Sequence, residues 1–370
     1  MKSYTRLIAA WATVAAVTVA PTIVPANMSP IAAIALFAWL LGIIVWAAFG
    51  VVHEAEELAE ALGEPLGTLI LTLSIVIIEV ALISAVMLGD SKVPTLGRDT
   101  MFAVLMIVLN GVVGLGLLIG GLRHHQQSFN LQGATAYLSV TIPLAFIALI
   151  LPNFTTSTVA GTVSPVQAIL FSVLTIILYG LFLWLQTGRY QGFFQPSGNA
   201  GDMPAVQVAP TPASEHQKKH LAPKWHALLL LANVLPIVIL SKSLAKLLDA
   251  GIEALNAPTA LSGIIIAMVV FAPEGISALR AVAANELTRA INLCLGAAAS
   301  TLGLTVPAVL LIGLWTEQTV VLGLSGANMV LLAVTLVLNI ITFSNARTTM
   351  LEGTVHLSLF GVFIVLVVSP

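Results

Sequence analysis

The chain has 370 residues, of which 58% are hydrophobic and only 8% charged, and its formal net charge is −2. Soluble domains carry about 25% charged residues, so a soluble fold is excluded, and the small net charge offers no basic face for nucleic acid. The single cysteine, Cys294, has no second thiol with which to form an internal disulfide.

Taken in order, charge, proline and turn clusters divide the chain into apolar spans near 6–25, 30–51, 66–88, 99–121, 135–152, 165–187, 225–249, 260–282, 289–313, 319–343 and 351–369. Each is about long enough to cross a bilayer as a helix. The runs are continuously apolar rather than alternating, which implies helices and not a barrel. Residues 7–26 follow Lys2 and Arg6 and superficially resemble a signal peptide. No small-x-small cleavage site precedes the next span, so the segment is read as a first transmembrane helix.

Two segments stand outside the spans. The stretch 53–64 carries Glu54, Glu56, Glu57, Glu60 and Glu64. It reads either as a funnel concentrating cations or as a short solvated helix with Leu58 and Leu62 on its buried face. Glu64, between Gly63 and Pro65, stands at the mouth of the third span. Residues 188–224 are rich in Gly, Pro and charge, cannot bury enough surface to order themselves, and read as a flexible linker.

Lys and Arg near the span ends set the orientation. With the N-terminus inside, Lys2, Arg6, Arg123, Arg189, Lys218, Lys219, Lys224, Arg280, Arg289 and Arg347 are cytoplasmic. Lys92, Arg98, Lys242 and Lys246 are then outside. Ten against four places the N-terminus and the linker in the cytoplasm. The expected fold is therefore an all-α polytopic membrane protein of about eleven transmembrane helices. A leading helix (1–29) precedes a first five-helix repeat (30–187), the cytoplasmic linker (188–224) and a second five-helix repeat (225–370). Five spans per half is an odd number, so halves of like fold lie inverted in the membrane, a plan common among secondary transporters.

In the second span of each half a lone glutamate sits mid-helix: Glu79 and Glu274. An ionised carboxylate at the bilayer centre costs about 3 kcal/mol on insertion scales. Arg280, six residues after Glu274, lies on a different face and reaches water at the helix end, so a buried salt bridge does not account for these residues. A proton and cation site does. Pro273 and Gly275 flank Glu274, and proline frees a backbone carbonyl about four residues back. Carboxylates, carbonyls and hydroxyls are the ligands of hard cations. Desolvation and mutual repulsion disfavour two bare carboxylates, so such a pair carries either protons or a cation, and that competition is antiport. Asn110, Asn292, Ser300 and Thr301, one span further on in each half, are secondary ligand candidates or interhelical hydrogen-bonding groups. Gly111, Gly114, Gly296 and Gly303 read as close helix packing. His124, His125, His216 and His220 fall in loops without zinc-ligand spacing.

The run Gly63–Ala85 resembles a bacterial calcium/proton antiporter of the cation/calcium exchanger superfamily. So do Asn256–Pro258, Ala272–Gly275, Arg289–Asn292 and Leu304–Pro307 in the second half. The resemblance covers nearly the whole chain. It implies an inverted-repeat fold in the bacterial inner membrane and alternating access, with Glu79 and Glu274 binding the cation and exchanging it for protons. Ca2+ export is its first implication; Na+ or K+ exchange is the alternative. Relatives commonly carry Gly-Asn four and three positions before each glutamate. Here those positions are Ile75, Val76, Val270 and Phe271, and Ala297 stands where a serine is frequent. The expected partners are the lipid bilayer, a cation and H+, with no cofactor. A cation channel is a further reading, which passive transport independent of a pH gradient would favour. An intramembrane enzyme lacks any accompanying His-x-x-x-His or Gly-x-Ser-x-Gly signature.

Overall fold

The computed structural model describes residues 2–19, 29–63, 66–87, 93–195, 222–255, 257–258, 260–345 and 347–369. The chain is predominantly helical. In order the helices are α1 (Lys2–Val19), α2 (Pro30–Leu62), α3 (Leu66–Met87), α4 (Leu96–His124), α5 (Leu131–Asn153) and α6 (Pro165–Thr187). They continue with α7 (Pro223–Ala254), α8 (Ala260–Ala283), α9 (Leu287–Trp315), α10 (Gly326–Thr342) and α11 (Met350–Val368). Among the described residues, eight of these helices are long and apolar enough to cross a membrane. Three apolar stretches, Thr5–Val19, Leu69–Ala85 and Gly326–Thr342, are shorter.

Local chemistry explains the helix ends. Ser29 caps α2 by accepting from the Ala32 amide, with Pro30 in the first turn, where its missing N–H costs nothing. Gly63 closes α2 at φ +66°, a conformation glycine adopts without Cβ strain. Both α6 and α11 open with a capping box, Ser164 with Gln167 and Thr349 with Glu352.

Several boundaries differ from the sequence expectation. The acidic stretch is not a separate helix but the last turns of α2, which runs unbroken to Leu62. Leu58 is buried there, whereas Leu62 is exposed. Glu54 is buried because it meets the His226 Nδ1 at 2.8 Å, which joins α2 to the first turn of α7. Helix α10 starts at Gly326 rather than near 319. The residues just before it are not helical, and the amides of Val321, Leu322, Gly323 and Leu324 donate to carbonyls of Pro94, Gly161 and Leu149. Backbone already satisfied by those partners gains nothing from coiling. His124 is the last residue of α4 rather than a loop residue, and residues 20–28, which include the end of the first predicted span, lie outside the described residues.

Among the described residues, α2 packs extensively against α7, with α1 and α3 beside them. Further in, α3 packs on α9 and α8 packs on α4. Both α4 and α9 loosen to π-helical turns at mid-length, Ile107–Val112 and Thr301–Thr305. Helix α11 covers the break in α4, and α6 covers the break in α9. Irregular backbone at this depth is tolerated where protein surrounds it, and single π-turns within helices frequently mark functional sites. Two-residue strands, β1 (Gln127–Ser128) and β2 (Arg347–Thr348), pair antiparallel and tie the α4–α5 connection to the α10–α11 connection.

Candidate cation site

Glu79 lies midway along α3 and is 1% exposed; Glu274 lies in α8 and is 5% exposed. Their surroundings are not alike. The Glu79 Oε2 accepts from Thr305 at 2.7 Å and Thr301 at 3.1 Å, both in the π-turn of α9. Mid-helix threonines ordinarily bond the carbonyl four residues back; here two hydroxyls spaced four apart turn to one carboxylate instead. Glu79 Oε1 and both oxygens of Glu274 have no hydrogen-bond partner. Buried polar atoms without partners are rare and call for an explanation such as an unseen ion or water. Three such oxygens belong to these two carboxylates.

Glu274 lines a cavity of about 740 Å³, room for on the order of 20 waters. Thr72, Tyr137, Tyr179, Gln186, Asn292 and Ser300 contribute to its polar lining, as do Ser128, Gln195, Glu286 and Arg289. Helix α8 runs through Pro273 without interruption, so the proline does not split it. Arg280 is in the last turn of α8 and exposed, leaving Glu274 without a cationic partner among the described residues.

The secondary candidates part company. Thr301 touches Glu79 directly. Ser300 lines the cavity beside Tyr179 and Thr72 in its lining and gives its hydroxyl to the Ala297 carbonyl. Asn292 lines the cavity as well, but its amide donates to the Phe194 carbonyl at 2.7 Å. That bond fastens the short 3-10 helix Gln191–Phe194, near the start of the stretch expected to be a linker, to α9, and Phe194 lines the same cavity. Asn110 is turned away. It donates to Thr335 at 2.8 Å and its oxygen meets His356 Nδ1 at 3.2 Å, while His356 Nε2 meets Thr342. It is an interhelical clamp over the π-turn of α4. Glu64 lies outside the described residues, as do His216 and His220. Gly303 does pack closely: a Cβ there would come within 2.6 Å of the Tyr179 ring.

Sequence reasoning did not single out Thr305, Thr72, Tyr137, Tyr179 or Gln186 as site residues. For Thr305 a signal existed, since Thr301 and Thr305 share a helix face just before Pro307. Tyr137 and Gln186, joined at 2.7 Å, carry no local signal. Replacing Thr305 by valine removes the shorter bond to Glu79 at nearly constant volume. Loss of one hydrogen bond to a charged group, about 1.5 kcal/mol, lowers apparent cation affinity roughly tenfold. Transport kinetics in vesicles measure this, and wild-type affinity in a Thr301→Val/Thr305→Val double variant would show that the hydroxyls do not serve the site.

The family profile described as sodium/calcium exchanger protein matches residues 32–188 and again 225–369. The y4hA protein of Sinorhizobium fredii is 39% identical over 346 residues, covering 93% of this chain and 92% of its own. The sodium-potassium/proton antiporter ChaA of Escherichia coli is 38% identical over 327 residues, covering 88% and 86%. Among solved structures, that of the Ca2+/H+ antiporter protein YfkE superposes with a TM-score of 0.73 at 16% identity, covering 98% of this chain and 99% of that one.

Proposed function

Because the chain belongs to the sodium/calcium exchanger family of multi-pass membrane transporters, we propose that it is an antiporter exchanging a cation for protons by alternating access, with Glu79 and Glu274 as the shared binding pair. One observation carries the reading: two buried carboxylates on α3 and α8 leave three oxygens without partners, and one carboxylate opens to a solvent-sized cavity. The proposed layout is a leading helix and two inverted five-helix repeats joined at 188–224, about eleven spans in all. The reciprocal packing supports it, since α3 meets the broken helix α9, α8 meets the broken helix α4, and α6 and α11 cover the two breaks. The N-terminus and linker are proposed to face the cytoplasm of a bacterial inner membrane, so the cavity faces inward.

The cargo best supported is monovalent, Na+ or K+. Ca2+ takes six to eight oxygen ligands, and here Asn110 and Asn292 are engaged elsewhere while Ile75, Val76, Val270 and Phe271 supply no side-chain oxygen. The 38% identity to a sodium-potassium/proton antiporter points the same way. Ca2+ stands as the second reading because two facing carboxylates match a divalent charge. A monovalent cation displaces one proton by competition at the pair; Ca2+ would displace two.

Everted vesicles holding an imposed pH gradient distinguish these readings when challenged in turn with Na+, K+ and Ca2+. Dissipation by Na+ or K+ at lower concentration than Ca2+ is the expected result. Preference for Ca2+ reverses the choice of cargo, and a gradient that no cation dissipates removes antiport altogether.

A further inference from the structure

Shortly after α6 ends, residues Gln191–Phe194 form a single 3-10 turn. A turn this short has too few internal hydrogen bonds to hold itself, yet two asparagines bind its backbone at three points. Asn292 on α9 donates to the Phe194 carbonyl at 2.7 Å, and Asn130 donates to the carbonyls of Gly192 and Gln195 at 3.1 Å each. Asn130 is also the N-cap of α5, where its oxygen accepts from the Gln132 amide. Gly133 lets the turn lie close, since a Cβ there would run into the Phe193 carbonyl. The Phe194 ring stands edge-on to Tyr137 of α5 and Phe182 of α6, with centroids 5.3 and 5.9 Å away. One turn is thus packed on α5, α6 and α9 together.

Phe194, Gln195 and Glu274 line the same cavity. On α9 its wall includes Glu286, Arg289, Asn292, Ala297 and Ser300, and exposure falls along that series. Glu286 and Arg289 are exposed, Asn292 and Ala297 half-buried, and Ser300 buried. The cavity therefore opens beside the charged first turn of α9 and closes toward Ser300, about 12 Å further along the helix than Asn292. The bond from Asn292 holds Phe194 between these two ends. We propose that Gln191–Gln195 is a strap controlling entry to the deep part of the cavity, with Asn130 and Asn292 as the positioning residues that latch it. Docked, the Phe194 ring narrows the passage; released, the ring leaves with the turn and the passage widens.

Thiol chemistry tests the strap directly. In a Cys294→Ala background, Ala297→Cys reports from about 8 Å beyond the Asn292 latch, and Glu286→Cys reports from the open side. Full-length protein in lipid nanodiscs presents both faces to a cationic methanethiosulfonate reagent. Asn130→Asp keeps the cap oxygen of α5 but replaces the amide that donates to both strap carbonyls with a second acceptor. Loss of two hydrogen bonds raises the undocked population, and with it the modification rate of Ala297→Cys, about tenfold. Phe194→Ala, which removes the ring and leaves the three tethers, should raise that rate as well. Glu286→Cys should react equally fast with and without either change. An unchanged Ala297→Cys rate in both Asn130→Asp and Phe194→Ala overturns the strap. An equal rise at Glu286→Cys overturns it too, because it marks general loosening. That the strap governs cation entry to Glu274 rests on the antiport reading, but the labelling needs no transport. Vesicles in which no cation dissipates a pH gradient therefore count against antiport alone.

Discussion

Glu274→Gln is expected to abolish cation-driven proton release, to at least 100-fold below wild type, while the protein still folds. Glutamine matches glutamate in volume but neither releases a proton nor neutralises a cation, so the competition that couples the two fluxes disappears. Folding should not suffer, because the side chain replaced makes no hydrogen bond. Removing an uncompensated buried carboxylate relieves a cost of about 3 kcal/mol in its ionised form, so thermal stability in detergent should be unchanged or higher. The same substitution at Glu79 should be equally inactive. An amide oxygen there still accepts from Thr301 and Thr305, so its loss of function comes from the charge and not from the two bonds. Vesicles with a dye-reported pH gradient measure both variants. Retained coupled exchange in both would sink the assignment of the pair.

The second large effect concerns how the break in α4 is held. A Cβ on Gly353 of α11 would lie 2.5 Å from the Leu118 amide nitrogen and 2.7 Å from the Gly114 carbonyl oxygen, both backbone atoms of α4. Backbone cannot step aside as the tip of a flexible side chain can, so even alanine must push the two helices apart. Overpacking of this kind costs about 3 kcal/mol, and small residues at such crossings are what allow membrane helices to approach closely. The shift also strains the bond from His356 to Asn110 one turn away. Gly361, on the same helix with nothing within 4 Å of its Cβ position, provides the control. Gly361→Ala should leave stability unchanged or raise it by up to about 1 kcal/mol, the helix-propensity gain of alanine over glycine. Equal thermal unfolding midpoints for Gly353→Ala and Gly361→Ala would contradict the backbone contact between α4 and α11.

Much of this protein can be read in one dimension because a bilayer imposes simple rules. Length and apolarity mark spans, and a lone carboxylate inside one is conspicuous whatever it touches. Glu79 and Glu274 were visible for that reason. Boundaries went astray where the chain had another way to satisfy its backbone. The stretch before Gly326 is apolar enough to read as helix, yet it does not coil, because carbonyls more than 150 residues away accept its amides. The acidic end of α2 read as a solvated unit, but Glu54 meets a histidine 172 residues later.

Sequence alone determined that this chain lives in a membrane, that its helices fall on either side of a polar stretch at 188–224, and which two carboxylates are misplaced there without a purpose. These conclusions follow from transfer energies, which belong to a residue and its immediate neighbours. Tertiary structure decided the rest. It gave Glu79 two hydroxyls from a helix 222 and 226 residues away, left Glu274 bare at a cavity, and turned Asn110 out of the site toward His356. Hydrogen-bond partners across the bundle depend on which helix faces pack together, and that packing is a property of the whole chain rather than of any window within it.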